Sequence, residues 1–342
     1  MKILITGVAG FIGSHLAEYL LRDKTHKVFG VDDFSGGFLR NVPKGCKFTK
    51  LDLRNREATR VYIEQIRPEL IYHLAADATE GRSQFTPINC TERNYLAYLN
   101  LLVPAINNGL KKIVLTSSMS VYGAQEPPFS EDLEPRPEDI YAVSKMAMEK
   151  ATEILSKVHG FKYTIVRPHN VYGPRQNLSD PYRNVVTIFI NCLLRNKNFY
   201  IYGNGEQKRA FTYIGDFTPY FAKTGFLEKT NGEIINIGSR REYSVNELAA
   251  QVLKAFGFTE DNIPKHLVPK YLPTRPQEVK FAYPTNQKAE RLLGFKHRFS
   301  LKDGIKRTVE WARKMGPQEP RYLESLEIES DKTPETWNKK LI

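Results

Sequence analysis

The chain has 342 residues, of which 41% are hydrophobic and 26% are charged, and its formal net charge is +12. This length allows one large domain or two lobes around a substantial core, and the composition is ordinary for a globular protein. No apolar run approaches the roughly 18 residues of a membrane span, so no membrane partner is expected. Lysine and arginine are spread along the chain without a long basic block. This favours a solvated surface with a few anion-binding arginines over a nucleic-acid partner.

Strand-like and helix-like segments alternate through the first half of the chain. Apolar strands that alternate with helices predict an α/β fold with a Rossmann-like, doubly wound parallel sheet. The predicted strands are residues 2–6, 27–32, 47–51, 70–74, 112–117 and 163–167. The predicted helices between them are residues 11–22, 56–65, 92–107 and 140–158.

After about residue 174 the pattern becomes irregular, with helical periodicity over residues 184–194, 244–255, 287–293 and 301–314. We expect residues 1–173 to form the main domain with the doubly wound sheet. Residues 174–315 should form a smaller α/β lobe over the carboxyl edge of the sheet, with some chain returning to the sheet. Residues 316–342 are polar and contain several prolines, which predicts an extended tail that Trp337 can anchor.

A glycine motif, GVAGFIGSHL at residues 7–16, follows the first strand and opens the first helix. Gly7 permits a tight turn, Gly10 lets the backbone approach a pyrophosphate, and Gly13 allows close packing of helix and strand. The helix N-terminus offers free N–H donors to phosphates. Asp32 ends the second strand, where its carboxylate can bind an adenosine ribose and repel a 2′-phosphate, which favours NAD over NADP. Glycines that serve only turn and packing are the alternative. Asp52, at the end of the third strand, can reach the adenine amino group or remain a solvated carboxylate.

A second motif is Tyr141-Ala-Val-Ser-Lys145, whose tyrosine and lysine share one face of a predicted helix. Tyrosine has a pKa near 10 and is a poor base. A neighbouring ammonium and an oxidised nicotinamide would favour the phenolate. Ser118, in LTSSMSVYG, follows a predicted strand, where its hydroxyl can meet the same substrate oxygen. A core tyrosine, a solvated lysine and a turn serine are the alternative.

In chain order, the motifs GxxGxxG, SxxVYG, YxxxK and RPHNVYGP resemble the extended short-chain dehydrogenase/reductase family over residues 1 to about 312. The resemblance is greatest to its NAD-dependent nucleotide-sugar epimerases of the UDP-glucose 4-epimerase type. It implies that Tyr141 is the catalytic base, that Lys145 binds the nicotinamide ribose and that Ser118 orients the sugar 4-hydroxyl. It also implies a tightly bound NAD. The cofactor contacts that we expect besides Gly7, Gly10, Gly13, Asp32, Asp52, Tyr141 and Lys145 are Phe11, Ile12, Leu53, Leu74, Ala75, Ala76, Asn94, Ser117 and Pro168.

The substrate implied by the resemblance is a UDP-sugar. Asn170 and Arg209 match residues that bind the diphosphate, and Arg275 and Glu278 match an Arg/acid pair that holds the diphosphate and the ribose. Ala282 occupies a position beside the sugar C2 substituent, where a small residue admits N-acetylhexosamines. Ser118, Tyr141, Met119 and Ser120 complete the predicted substrate contacts.

Two departures from the family bear on the reaction. Dehydratases of the family carry an acid in the two positions after the catalytic serine or threonine, and decarboxylases carry Glu before VYG. This chain has Met119 and Ser120 in the first two positions and Ser120 before VYG, which favours epimerisation. A UDP-glucuronate 4-epimerase, a 4-ketosugar reductase and an NAD-sensing regulator of the same fold are alternatives.

The remaining expectations concern assembly and compartment. The resemblance implies a homodimer through helices at about residues 92–107 and 141–158. Leu99, Leu102, Met146 and Met148 permit this interface, but packing within one chain explains them too. The three cysteines, Cys46, Cys90 and Cys192, are far apart and have no ligand-spaced histidine. They predict neither a disulfide framework nor a metal site, which fits a cytoplasmic location.

Overall fold

A computed structural model describes residues 1–274 and 280–342 of the chain. Its strands, in chain order, are β1 (Lys2–Thr6), β2 (Lys27–Asp32), β3 (Lys47–Lys50), β4 (Leu70–His73), β5 (Lys112–Thr116), β6 (Lys162–Pro168), β7 (Val171–Tyr172), β8 (Tyr200–Tyr202), β9 (Lys208–Ala210), β10 (Thr212–Tyr213), β11 (Glu233–Ile237), β12 (Glu242–Ser244), β13 (Lys270–Leu272) and β14 (Phe281–Ala282). The helices are α1 (Phe11–Leu20), α2 (Arg56–Ile66), α3 (Glu80–Ser83), α4 (Pro87–Thr91), α5 (Ala97–Asn107), α6 (Ile140–His159), α7 (Val185–Leu194), α8 (Ile214–Lys223), α9 (Val245–Phe256), α10 (Gln287–Leu293), α11 (Leu301–Met315) and α12 (Glu335–Asn338).

The centre of the fold is a seven-stranded parallel sheet in the order β11-β6-β5-β4-β1-β2-β3. The order reverses between β1 and β4, the point where doubly wound sheets bind ligands at the carboxyl ends of their strands. In register, Thr6 at the end of β1 lies between Val31 of β2 and His73 of β4. The predicted fold class is confirmed. For each of the six predicted strands, the first and the last residue lie within one residue of the observed ones.

Helices cover both faces of the sheet, which explains why the central strands are apolar throughout. Ile3, Leu4 and Ile5 of β1 are fully buried, with alternate residues belonging to cores on opposite faces. The predicted helix over residues 92–107 is one wide π-type turn at Glu92–Leu96 that continues into α5. The helix α6 begins where the Asp139 carboxylate accepts a hydrogen bond from the Ala142 amide at 2.7 Å.

The second half of the chain contributes to both parts of the molecule. The strand β11 pairs with β6 and becomes an edge of the main sheet. Smaller sheets, β12-β9-β14, β13-β8 and β10-β7, lie outside the main sheet, and we call them, together with α7 and α9, the smaller lobe. Short 3₁₀ turns occur at Leu39–Asn41, Met119–Tyr122, Glu228–Thr230 and Lys265–Leu267. Across residues 1–274 and 280–342, no helix has the length and apolar content that crossing a bilayer requires.

Candidate active site

One cavity of about 930 Å³ runs along the carboxyl edge of the sheet. Its walls include nearly all of the predicted site residues that lie in the described part of the chain: Gly7, Gly10, Phe11, Ile12, Gly13, Asp32, Asp52, Leu53, Leu74, Ala75, Ala76, Ser117, Ser118, Met119, Ser120, Tyr141, Lys145, Pro168, Asn170, Arg209 and Ala282. Arg275 and Glu278 lie outside the described residues. The fold therefore brings the glycine motif and the Tyr–Lys motif, separated by more than a hundred residues in sequence, to one cavity.

The glycine loop is a tight backbone turn at the end of β1. Gly7 has a φ of +70°, a conformation that favours glycine. A methyl group at Gly13 would lie 2.2 Å from the carbonyl oxygen of Gly7, so only glycine fits at this helix–strand contact. The helix α1 begins at Phe11, and none of the described side chains caps its N-terminus. Its free amide groups face the cavity, where they can donate hydrogen bonds to a phosphate.

Asp32 supports this loop from the end of β2. Its carboxylate accepts hydrogen bonds from the amides of Ala9 at 3.0 Å and Phe34 at 2.8 Å. Burial raises the pKa of Asp32, and the two amides oppose that effect. Each carboxylate oxygen keeps acceptor capacity for a ribose hydroxyl.

The far end of the cavity carries the predicted Asp52 and three charged residues that sequence reasoning missed, Asp33, Arg54 and Arg93. Asp52 is held by Arg54 through contacts of 2.7 to 3.1 Å, which hold the pKa of the carboxyl below its usual value. Asp33 pairs with Arg93 at 2.6 Å, and all four side chains line the cavity. The pairing of Asp52 with Arg54 was not predicted, because an Asp-x-Arg sequence alone does not reveal that the two side chains turn toward each other.

Asn94 is not brought to the cavity wall. Its side-chain oxygen accepts from the Asp77 amide at 3.1 Å, and its NH₂ group donates to the carbonyl oxygens of Cys90 at 2.9 Å and Asp77 at 3.2 Å. The Asn94 side-chain amide therefore holds the segment after β4 in place through these hydrogen bonds. Leu74 and Ala75 of that segment do line the cavity, and both of their amides donate to the Thr6 hydroxyl at 3.1 Å.

Tyr141 and Lys145 lie in the first turns of α6, near the middle of the cavity. The Lys145 ammonium donates to the Thr116 carbonyl oxygen at 2.8 Å and lies 5.6 Å from the centre of the Tyr141 ring. Burial lowers the pKa of Lys145 to about 8, so the side chain is mostly charged at pH 7. Ser118 lies within hydrogen-bonding reach of the Tyr141 hydroxyl, and its own oxygen accepts from the Ser120 amide at 3.2 Å.

The pKa of Tyr141 in the protein alone differs from the sequence expectation. Burial raises it above its ordinary value, and the Glu80 carboxylate raises it further. The Ser118 hydroxyl and the Arg183 charge act in the opposite direction. The net direction favours the neutral phenol, and the positive charge of an oxidised nicotinamide would act against it.

Glu80 is a site residue that sequence reasoning missed. It begins α3, and its exposed surface lines the cavity. The Ser83 hydroxyl donates to the Glu80 carbonyl oxygen at 2.6 Å and accepts from the Tyr141 amide at 3.2 Å, which ties α3 to the start of α6. Although the side chain of Glu80 is exposed within the cavity, the surrounding protein excludes enough water to raise the pKa of its carboxyl; Asp139 adds to the rise, and Arg209 and Arg183 oppose it. The Glu80 carboxyl is thus close enough to Tyr141 to influence the ionisation of the phenol.

Glu80→Gln is expected to shift the acidic limb of the kcat/KM profile to lower pH by about one unit. Above pH 7 the Glu80 carboxylate is negative and raises the pKa of Tyr141, so its removal favours the phenolate. Rates measured from pH 5 to 9 test this shift. Glu126→Gln, which removes an exposed charge away from the cavity, is the matched control. An unchanged or upward-shifted limb in Glu80→Gln would contradict the assignment.

Residues that follow β6 in the chain form the opposite wall of the cavity. Asn170 has a left-handed backbone with φ of +38°, and its NH₂ group lies 3.5 Å from the Met119 sulfur. The Arg209 guanidinium donates to the carbonyl oxygens of Lys208 at 2.9 Å and Lys280 at 3.2 Å. Ala282 is buried beside Tyr122 and Phe129. Arg183 and Asn184 also line this wall, and no sequence motif had indicated them.

These residues fit a dinucleotide and a second polar ligand. The glycine cradle and the free amides of α1 suit a pyrophosphate. The buried hydroxyls of Thr116 and Ser120 have no hydrogen-bond partner among the described residues, so each is free to bond to a ligand. His73 and His169 are fully buried, and burial lowers the pKa of both, so they are neutral packing residues. The fold and this site define a nicotinamide-dependent enzyme of the short-chain dehydrogenase type.

Comparisons with known proteins agree with this class. The model of the NAD-dependent epimerase/dehydratase family matches residues 3–238. A UDP-glucose 4-epimerase of Mycolicibacterium smegmatis is 33% identical and aligns over 92% of this chain and 99% of its own. The crystal structure of a UDP-glucose 4-epimerase from Thermotoga maritima with UDP-glucose has a TM-score of 0.85 and 33% identity, over 92% of this chain and 99% of that one.

A third similar protein has a different substrate. The UDP-glucuronic acid 4-epimerase of Bacillus cereus, solved with UDP-glucuronic acid and NAD, has a TM-score of 0.83 and 29% identity, over 92% of this chain and 100% of that one. The chain belongs to the NAD-dependent epimerase/dehydratase family. It is an enzyme of that family, its relatives include sugar-nucleotide epimerases, and its cofactor is NAD.

Proposed function

We propose that the protein is a UDP-sugar 4-epimerase that interconverts UDP-glucose and UDP-galactose and also accepts the N-acetylated pair. One observation carries the proposal. Tyr141, Lys145 and Ser118 line the same cavity as the glycine cradle, while the two positions after Ser118 hold Met119 and Ser120. Neither of these two side chains can act as the acid that an elimination at C5–C6 needs, whereas epimerisation at C4 needs no second acid.

The chemistry divides between the cofactor and the side chains. NAD, when bound in the glycine cradle, would supply the hydride acceptor for C4 and the donor that returns the hydride to the opposite face of the sugar. Tyr141 removes the proton from O4 and gives it back at the end, so that no net proton is consumed. Ser118 holds O4 beside the tyrosine, and the charged Lys145 favours the phenolate. Asn170 and Arg209 hold the diphosphate, about which the sugar turns between the two transfers.

The direct test uses purified protein without added cofactor. UDP-glucose, UDP-GlcNAc and UDP-glucuronate are incubated separately, and the products are resolved by chromatography. We expect each active substrate to be converted without added cofactor into a constant mixture with its C4 epimer, since NAD is regenerated in every turnover. Turnover only with added NADH would instead indicate a 4-ketosugar reductase. Loss of water or carbon dioxide would contradict the proposal.

Ala282→Tyr is expected to lower kcat/KM for UDP-GlcNAc at least about tenfold more than for UDP-glucose. Ala282 lies in the cavity wall, where a larger side chain takes the space of an N-acetyl group. Competition assays with both substrates measure the ratio, and Ala124→Tyr at an exposed alanine is the control. Wild-type protein that turns over UDP-glucose but not UDP-GlcNAc would contradict this specificity.

A second candidate substrate is UDP-glucuronate, and one observation favours it. The reaction needs a cation near the sugar C6 carboxylate, and the Arg183 guanidinium lies in the cavity wall close enough to affect Tyr141. Asp180 already pairs with Arg183 at 2.8 Å, and Glu80 adds a negative charge nearby, which disfavours a second carboxylate. Efficient turnover of UDP-glucuronate that Arg183→Gln abolishes would establish this alternative.

We also propose a homodimer through the helices that include α5 and α6. Leu102 and Met148 are fully buried within the chain, so they do not form such an interface. The exposed apolar residues of these helices are Leu96, Val103, Val143, Ile154 and Val158. Their burial in a second copy would explain their exposure here. Sedimentation of the protein and of Ile154→Asp tests the proposal, which requires a dimer that the substitution dissociates.

A further inference from the structure

The last part of the chain, residues 317–342, is a strap that starts on α7 of the smaller lobe. After α11, Gln318 exchanges two hydrogen bonds with the Asn191 side chain at 2.8 and 2.9 Å. The Arg321 amide then donates to the Ser179 carbonyl oxygen at 2.7 Å. Although the segment has little regular structure, these contacts fix its path along the lobe.

The strap then crosses to the domain that carries the sheet. The Glu327 carboxylate accepts from the amides of Ile88 and Asn89, both at 2.8 Å. The amides of Glu327 and Ile328 donate to the Phe85 carbonyl oxygen at 3.0 and 3.1 Å. The strap thus joins the two sides of the cavity by backbone hydrogen bonds.

The end of the strap returns to the cavity through α12. The Trp337 ring packs edge-on against Tyr182 at 5.1 Å and Phe85 at 6.0 Å between ring centres. A methyl group at Gly81, next to Glu80, would lie 3.6 Å from the Trp337 ring. The Thr336 hydroxyl is 2.8 Å from the Tyr202 hydroxyl. Five strap residues line the cavity: Lys332, Pro334, Thr336, Trp337 and Ile342.

We propose that the strap is a wall of the substrate site and that Trp337 is a positioning residue in it. The inference rests on the proposed function, because a 4-keto sugar that turns within the cavity must be kept from solvent. Trp337 contacts the α3 segment, which adjoins Tyr141, and Tyr182 of the lobe. It therefore fixes the distance between the reacting end of the cavity and its opposite wall.

The first test measures the binding of UDP, which does not require turnover. The chain has two tryptophans, so Trp311→Phe leaves Trp337 as the only one. Titration of this variant with UDP, in the NAD-bound protein, should change the Trp337 emission in a saturable manner. UDP binding seen by calorimetry without any change in emission would overturn the proposal. This readout also applies if the chemistry is not 4-epimerisation.

The second test measures whether the 4-keto sugar stays in the cavity during turnover. Trp337→Ala and a chain that ends at Gly316 should raise KM about tenfold to a hundredfold. Each ketone that escapes leaves the cofactor reduced, so absorbance near 340 nm should grow during turnover. Ile328→Ala, in the same strap but with an exposed side chain, should behave as wild type. If the shortened chain does not fold, Trp337→Ala decides alone.

Three outcomes separate the possibilities. If Trp337→Ala has wild-type kinetics and its absorbance near 340 nm does not grow, the proposal that the strap is a wall of the site is wrong. A lower KM in the shortened chain would overturn it too, by showing that the strap obstructs the site. The intact chain could also bind UDP with a change in Trp337 emission but epimerise none of the sugars. That result would contradict the proposed function, while the strap would still be part of a nucleotide-binding site.

Discussion

Tyr141→Phe is expected to lower kcat by about three orders of magnitude while the protein keeps its bound NAD. The change removes one hydroxyl that lies beside Ser118, at the centre of the cavity. Without it, the O4 proton has no acceptor when the hydride leaves C4. The ring itself is retained, so the packing of α6 and the position of Lys145 should not change. Initial rates with UDP-glucose and extraction of the bound nucleotide measure the two parts of the prediction.

The distribution of the effect between kcat and KM matters as much as its size. A base that acts only in the transition state affects kcat and leaves KM nearly unchanged. Tyr163→Phe, on a partly exposed strand residue away from the cavity, controls for loss of a phenol in general. A variant that retains more than a tenth of the wild-type kcat would require another base, and Glu80 is then the group to test. Loss of NAD together with activity would instead indicate a binding role.

The parts of the molecule that sequence predicts well depend on local patterns. The strand β1 and the glycine loop are contiguous, and the apolar run and the glycine spacing describe them completely. The same holds for α6, whose Asp139 cap, Tyr141 and Lys145 lie within seven residues. The meeting of these motifs in one cavity follows from strand order, because consecutive parallel strands end at the same edge.

The parts that sequence predicts poorly depend on contacts between distant segments. Glu80 became a site residue only through the packing of α3 on α6, since nothing near residue 80 marks a ligand. Asn94 has a side chain suited to a nucleotide, but the backbone of Asp77 uses its hydrogen-bonding groups. Trp337 was expected to anchor a tail, yet its neighbours Phe85 and Tyr182 are more than 150 residues away. No local periodicity encodes such contacts.

Arg167→Met is expected to reduce the free energy of unfolding by about 3–5 kcal/mol, the cost of leaving a buried partner charge unpaired. The side chains of Arg167 in β6 and Glu149 in α6 are 1% and 5% exposed, and they form two hydrogen bonds of 2.9 and 2.6 Å. The Ser117 hydroxyl donates to the same carboxylate, and the guanidinium lies 4.7 Å from the centre of the Tyr122 ring. Urea unfolding of the NAD-bound protein measures the loss.

The double variant Arg167→Met with Glu149→Gln distinguishes an unpaired charge from lost packing. Glutamine is neutral and still accepts a hydrogen bond from Ser117, so the double variant should be more stable than Arg167→Met alone. Arg60→Met is the matched control, because Arg60 makes equally short contacts to Glu57 and Glu64 on the surface of α2, where solvent screens the charges. It should leave stability nearly unchanged. Equal losses in the single and double variants would show that the packing of Arg167 against Tyr122, rather than its charge, stabilises the end of β6 beneath the active site.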